Sequence, residues 1–245
     1  GLTLTDSGTF NVQDLDTSNV VNANSLFIGS AGTNADPALN GVDFNSFFHV
    51  SPDPVIDAAT NDAILDWNFD SLGTTFEFLA DGETLTLTYT LTLSDGESGS
   101  TPDTHNIVIT INGTEDGPEI TDGPDAVTLT ESNTTLSTSG TLTIRDDDKD
   151  DEVNTSHSLV VSSNNNSALT TVDGNVVPAD PNGSTHAQLL AMLSLDANPL
   201  LDATEQSDTL NWSFSSNVTG LNHNQAFDYL EFGETLTLTY TITVE

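Results

Sequence analysis

Carboxylates are the one reactive group this chain holds in quantity. Its 245 residues include 38 Asp and Glu against 2 Lys and Arg, a formal charge of −36. The acids gather in short groups. In the first half these are Asp14/Asp16, Asp81/Glu83, Asp95/Glu97 and Glu115/Asp116. In the second half they are Glu131, the run 146–152 (Asp146, Asp147, Asp148, Asp150, Asp151, Glu152) and Glu231/Glu234. A single Asp-x-Asp is most simply a solvated turn. Many carboxylates held within several ångströms instead repel one another or take up protons. A hard cation with six to eight oxygen ligands relieves that repulsion, and Ca²⁺ is the natural candidate. Mg²⁺ fits less well, because it demands a small octahedral cage and keeps its waters. The run 146–152 is not an EF-hand: position six of that loop is Asp151 rather than Gly, and position twelve is His157 rather than Glu.

Other chemistries find little footing. With two basic residues there is no patch to displace phosphate counterions, which excludes nucleic acid as a partner. Docking on anionic lipid is disfavoured for the same reason. There is no cysteine, hence no disulfide or thiolate metal site. No apolar run is long enough to span a membrane, and no basic segment followed by an apolar stretch marks a signal peptide. The histidines, His49, His105, His157, His186 and His223, are not spaced as metal-binding pairs. No Gly-x-Ser-x-Gly elbow supports a hydrolase triad. A glycosidase needs two carboxylates across a cleft, whereas these acids fall at turns, so no enzymatic activity is expected. The sequons at Asn112, Asn182 and Asn217 are what chance gives in a chain rich in Asn, Ser and Thr.

The elements that must position the acids come from a tandem repeat. Residues 83–90, ETLTLTYT, recur at 234–241; Leu65-Asp66-Trp67-Asn68-Phe69 recurs as Leu210-Asn211-Trp212-Ser213-Phe214; Ser7-Gly8-Thr9-Phe10 recurs as Ser139-Gly140-Thr141-Leu142. The offset grows from 132 (Ser7 to Ser139) through 145 (Leu65 to Leu210) to 151 (Glu83 to Glu234), through loop-like insertions at 163–176 and 217–221. Thr alternates with apolar residues, which predicts strands at 10–12, 26–28, 64–69, 84–93 and 106–111, then at 126–130, 141–144, 159–161, 209–214 and 235–244. Turn signals such as Asp81-Gly82 and Asp95-Gly96 separate them. The fold class is therefore all-β, with two tandem Ig-like β-sandwich modules at residues 1–116 and 117–245. Each carries one short stretch of helical look, at 37–50 and 185–195. The first repeat lacks a counterpart of 117–137, its first strand; the second lacks a counterpart of 95–113, its last strand. The sequence thus reads as a window on a longer array. Trp67 and Trp212 lie on the apolar face of their strands and are expected in the core, with sugar stacking the minor alternative.

Strands of a sandwich reverse at each turn, so alternate turns share an end. Asp14/Asp16 and Asp95/Glu97 are expected at one end of the first module, Asp81/Glu83 and Glu115/Asp116 at the other. The run 146–152 then belongs to the end of the second module that meets the first. Asp81, Glu83, Asn112, Thr114, Glu115, Asp116, Asp146 and Asp148 are the expected ligands there. Asp14, Asp16, Asp95, Glu131 and Glu234 are the further candidates. Leu15 and Asp147, the middle residues of their motifs, need not bind.

These residues carry a resemblance. Leu79-Ala80-Asp81-Gly82-Glu83, Tyr89-Thr90-Leu91 and Asp95-Gly96 resemble the cadherin pattern of an acidic turn, a Tyr strand and a second Asp. Residues 109–118, ITINGTEDGP, resemble the closing signature of VCBS-type, cadherin-like bacterial repeats, with Glu115-Asp116-Gly117-Pro118 in place of the usual Asn-Asp-Ala-Pro. Glu131, then Asp146 and Asp148, follow in the order of the first-strand Glu and later Asp-x-Asp of cadherin repeats. Phe232 replaces Asp81 in the second copy, which puts its far-end site in doubt. The resemblance implies Ca²⁺-stiffened extender modules of a giant secreted RTX-type adhesin, on a bacterial surface, serving adhesion or biofilm formation. Neighbouring repeats of the same chain are the implied partners, and the chain is expected to be a monomer. The alternative it permits is a Ca²⁺-dependent lectin for extracellular polysaccharide. Phe44, Phe47, Phe48, Phe76, Phe78, Phe227 and Tyr229 are the aromatics to watch for that role.

Overall fold

The computed structural model describes residues 3–16, 18–33, 35–148, 151–181, 183–220 and 226–245. The chain is almost entirely β and divides into two compact units, Gly1–Asp116 and Gly117–Glu245.

The described residues of the first unit form six strands: β1 (Thr5–Gln13), β2 (Asn22–Gly32), β3 (Phe48–Ser51), β4 (Asp62–Asp70), β5 (Thr84–Ser94) and β6 (Asp103–Asn112). They form two antiparallel sheets, ordered β1-β4-β3 and β2-β5-β6. Strict alternation puts Leu85, Leu87, Tyr89 and Leu91 of β5 inward, each nearly sealed from solvent, while the intervening threonines face out. Phe48 and Phe69 from one sheet join Leu85, Leu87, Tyr89 and Ile111 from the other in one core, and Val12 and Leu65 meet Ala23 and Leu91 in a second. Two sheets burying facing sides make a sandwich.

The stretch 37–50 is not an α-helix. Two 3₁₀ turns, Pro37–Leu39 and Phe44–Phe47, lead directly into β3. Asp36 and Asp43 cap them, accepting from the amides of Ala38 and Asn45. The Tyr89 hydroxyl donates to the carbonyl of Phe44 at 3.0 Å, which pins the second turn over the sheet.

The second unit repeats this plan: β7 (Glu119–Ile120), β8 (Ser137–Arg145), β9 (Thr155–Ser163), β10 (Leu169–Val172), β11 (Asn175–Pro178), β12 (Leu193–Leu195), β13 (Ser207–Ser215) and β14 (Leu236–Val244). One sheet runs β12-β13-β8-β7 and another pairs β14 with β9. Here the helical stretch is real: α1 (His186–Leu190) starts with a capping box between Thr185 and Gln188. The Tyr240 hydroxyl reaches the carbonyl of Leu189 at 2.6 Å. Tyr89 and Tyr240 thus do the same job, and burial raises the pKa of both phenols.

Two expectations are overturned. The insertion at 163–176 is not plain loop, because β10 and β11 form a hairpin around Asp173-Gly174, both with positive φ (50° and 80°). That is the geometry of a type I′ turn. Residues 126–130 form no strand. Their predecessor β7 stops after two residues because Asp122 takes over. Its carboxylate accepts from the Thr143 amide at 2.7 Å and the Thr143 hydroxyl at 3.2 Å, which uses up the next donor along β8.

The repeated tryptophans pack across repeated glycines. Gly8 faces Trp67 and Gly140 faces Trp212 on neighbouring strands. A Cβ on Gly8 would come within 2.8 Å of the indole, and one on Gly140 within 2.6 Å. Both rings are half-buried. Trp67 stacks on Phe48, and Trp212 donates its Nε1–H to Asp125 at 2.9 Å. Both rings therefore spend a face on the protein itself.

Candidate metal centre

In the first unit, Asp14 and Asp16 follow β1, and the Asp16 amide donates to the Asp14 side chain at 2.9 Å. The turn after β5 does the same, the Glu97 amide donating to Asp95 at 3.0 Å. These are Asx turns, a local use for an aspartate that needs no ion. The two turns share one end of the unit and line a groove of about 590 Å³ with Leu15, Ser18, Asn19 and Ser100. The Glu97 amide, and then the Ser100 hydroxyl, hold the Asp95 carboxyl below its ordinary pKa. Among the described residues, no three carboxylates of this unit gather within 4.8 Å of one another. The groove is acidic and open, not a closed cage.

At the unit's other end Glu83 is already occupied. One carboxylate oxygen accepts from the Thr33 hydroxyl at 2.9 Å and the other from the Ala80 amide at 3.3 Å. Its backbone closes the turn, its amide donating to the Ala80 carbonyl. The Gly113 amide then bonds the Glu83 carbonyl at 3.0 Å. Gly113 is required here, because a Cβ would lie 2.2 Å from the carbonyl oxygens of Leu79 and Ala80. Asn112 ends β6 opposite Thr84, while Asp81, Thr114 and Glu115 are exposed and Asp116 is partly covered.

Glu234 repeats the Glu83 arrangement in the second unit. Its carboxylate accepts from the Glu231 amide at 2.9 Å and from the side-chain amide of Asn165. Those contacts, the backbone one first, hold its pKa below the ordinary value. Glu83 and Glu234, read from sequence as ligands, are turn staples: each ties the turn before its strand to the loop after the neighbouring strand. Phe232, at the position of Asp81, is fully exposed. Glu131 does not lie on a first strand but in the exposed irregular stretch before β8.

The turn after β8 differs from all of these. Asp146 and Asp148 are buried, at 2% and 0% exposure. The Asp146 amide donates to the Gln206 carbonyl at 3.0 Å, and the Gln206 side chain donates to the Asp147 carbonyl at 2.5 Å. The Asp148 amide donates back to the Asp146 carboxylate at 3.0 Å. Arg145 pairs with Asp147, which points outward, at 2.5 Å. Asp148 and Asp151 bring carboxylate oxygens within 4.8 Å of each other. Burying ionised carboxylates is costly unless charge compensates them. An all-oxygen donor set of this kind suits a hard divalent cation and does not suit a thiophilic one. Sequence reasoning chose Asp146 and Asp148 from the Asp-x-Asp pattern. It passed over Asp151, whose only signal was membership of the same acidic run. Asp150 lies outside the described residues.

Three of the described histidines are engaged elsewhere. His157 and His186 have their Nε2 atoms 3.2 Å from the carbonyls of Leu190 and Leu159, and His105 packs edge-on against Phe10. His49 is exposed on β3, and His223 lies outside the described residues. Among the aromatics of interest for sugar binding, Phe47, Phe48, Phe76, Phe78 and Phe227 are buried, and Phe44 and Tyr229 pack against the cores. Compared with models of known protein families and with curated protein sequences, the chain matches none.

Proposed function

We propose that this chain is a pair of extender repeats from a secreted cell-surface adhesin, and that it binds Ca²⁺ through Asp146, Asp148 and Asp151. One observation carries the reading: two carboxylates almost sealed from solvent share one short turn with a third close by, in a chain with 38 acids and 2 bases. Without a counter-ion those charges would oppose folding. A bound cation converts the same groups into a source of stability and stiffens the array. Extracellular modules of this kind hold Ca²⁺ at roughly 10⁻⁴–10⁻³ M, so the array would be rigid only in Ca²⁺-rich surroundings. The role is mechanical: spacing a distal binding domain from the cell. The internal repeat and the acids set on turns support it. Of the seven phenylalanines and tyrosines singled out for the polysaccharide-binding alternative, all are buried or packed against the cores, which gives that alternative no support.

Elemental analysis of the chain after gel filtration in millimolar Ca²⁺ tests the proposal. At least one Ca²⁺ per chain above the buffer level is expected, lost in the Asp146→Asn/Asp148→Asn variant. EDTA should lower the melting temperature of the wild type and leave that variant unmoved. A chain that elutes metal-free and melts alike in EDTA and Ca²⁺ removes the Ca²⁺ reading, and the mechanical role with it.

A further inference from the structure

Arg145 and Lys149 are the only basic residues in the chain, and both flank the Asp146-Asp147-Asp148 turn. Lys149 lies outside the described residues. Arg145 closes β8 and reaches forward to the middle aspartate, its guanidinium 2.5 Å from the Asp147 carboxylate. It also stands opposite Glu119 of β7. The Arg145 and Asp147 side chains are 60% and 32% exposed, whereas Asp146 and Asp148 on either side of Asp147 are buried. An ion pair this open adds little to stability by itself. What it changes is the charge beside two buried carboxylates.

The first unit carries the same turn without that pair. The offset that aligns Ser7 with Ser139 sets Gln13, Asp14, Leu15 and Asp16 against Arg145, Asp146, Asp147 and Asp148. Gln13 and Arg145 are each the last residue of their strand. The base and the extra acid therefore occur together: Gln13 and Leu15 are neutral singly, Arg145 and Asp147 neutral as a pair. Asp147 without Arg145 would leave three consecutive ionised acids on one turn. With Arg145 the turn returns to the net charge of a plain Asp-x-Asp.

We propose that Arg145 sets the cation affinity of this turn. Paired with Asp147, it keeps that carboxylate out of the donor set and fixes a positive charge beside Asp146 and Asp148. That charge weakens the binding of a divalent cation and steadies the turn when no cation is bound. Arg145 is a positioning residue, acting through Asp147 and through the field, and is not a ligand. The proposal rests on the Ca²⁺ reading of Asp146 and Asp148. A unit charge within a screening length of a divalent ion changes its binding by about fivefold at low salt, and by less as salt is added.

Calorimetric titration of the full chain with Ca²⁺ at low ionic strength tests this. Arg145→Gln should bind Ca²⁺ about fivefold more tightly and Asp147→Asn about fivefold more weakly. The double variant should return close to the wild type, and Arg145→Lys, which keeps the charge, should match the wild type. Melting gives a second readout. Arg145→Gln should melt lower than the wild type in EDTA but not in saturating Ca²⁺, so the gap between the two conditions widens; a merely structural loss would lower both alike. Unchanged or weaker Ca²⁺ binding by Arg145→Gln, with the wild type still binding, overturns the proposal and leaves the Ca²⁺ reading standing. So does Arg145→Lys behaving as Arg145→Gln does. A double variant as weak as Asp147→Asn also overturns it, by making Asp147 a ligand. A wild type that takes up no Ca²⁺ removes the Ca²⁺ reading and this proposal together.

Discussion

Replacing Gly140 with Ala asks whether Trp212 is a packed part of the second unit or a ring held ready for a ligand. The added Cβ would meet the indole at 2.6 Å, about 1 Å inside ordinary contact. The ring cannot simply swing outward, because its Nε1–H is tied to Asp125 at 2.9 Å. Overpacking of this kind costs about 1–3 kcal/mol, and a broken bond to a carboxylate about 1.5 kcal/mol more. Removing a strand glycine returns about 0.5–1 kcal/mol. The net expectation is a loss of about 3 kcal/mol, or about 10 °C in the melting temperature of a unit this size. With Trp67 replaced by Phe, Trp212 is the only indole left, so its fluorescence reports that unit alone during urea unfolding. In a Trp212→Leu background the same Gly140→Ala change should cost less than half as much, because the clash is gone. Gly140→Ala with unchanged stability, or equal costs in both backgrounds, would refute the packing argument and restore the ring as a free surface.

The remaining expectations concern the anchors and staples. Tyr89→Phe and Tyr240→Phe each delete one hydroxyl-to-carbonyl bond and should each cost about 1 kcal/mol in denaturant titrations, independently of each other. Loss of order in α1 should accompany the second, visible as faster amide exchange at Leu189. Glu234 has a folded pKa below its ordinary value, so it contributes stability above the ordinary carboxylate range, and that contribution fades as pH falls through the lowered value. Glu234→Gln should flatten the acid limb of the melting curve between about pH 2 and 5, because it loses that contribution at neutral pH and changes little below the lowered value; an unchanged acid limb would mean the staple is not formed. Asp95 follows the same sign, and Asp95→Asn should flatten the same limb for the first unit.

Strand existence was legible because Thr and apolar residues alternate without interruption in β5 and β14, and the facing sides of those strands carry the cores. The repeat also exposed the Gly–Trp pairs, although nothing in one sequence says that Gly140 must lie beneath Trp212; that needs the register of β8 against β13. Residues 126–130 alternate as well as any strand here, yet all are exposed and form none. Alternation states what a segment could pair with, not whether a donor remains, and Asp122 had already taken the one at Thr143. The β10–β11 hairpin was hidden for the opposite reason. Its strands are too short for periodicity to register, and only the Asp173-Gly174 pair announced it.

The acids show why composition alone could locate turns but not ligands. An aspartate that follows a strand can spend its oxygens on the amide two residues on, as Asp14 and Asp95 do. A glutamate at the start of a strand can reach back three residues, as Glu83 and Glu234 do. Both uses leave the residue at a turn, repeated in each copy, where a metal ligand would also sit. Burial is the property that separates them, and sequence does not display it. A staple remains in contact with water, as Glu234 does, and there hydrogen bonds hold the carboxyl below its ordinary pKa. Asp146 and Asp148 have given up water, and the Asp148 amide donates to the Asp146 carboxylate. Nearby positive charge favours the ionised form of a buried carboxylate, which makes that turn, among the described acidic groups, the one to load with Ca²⁺ first.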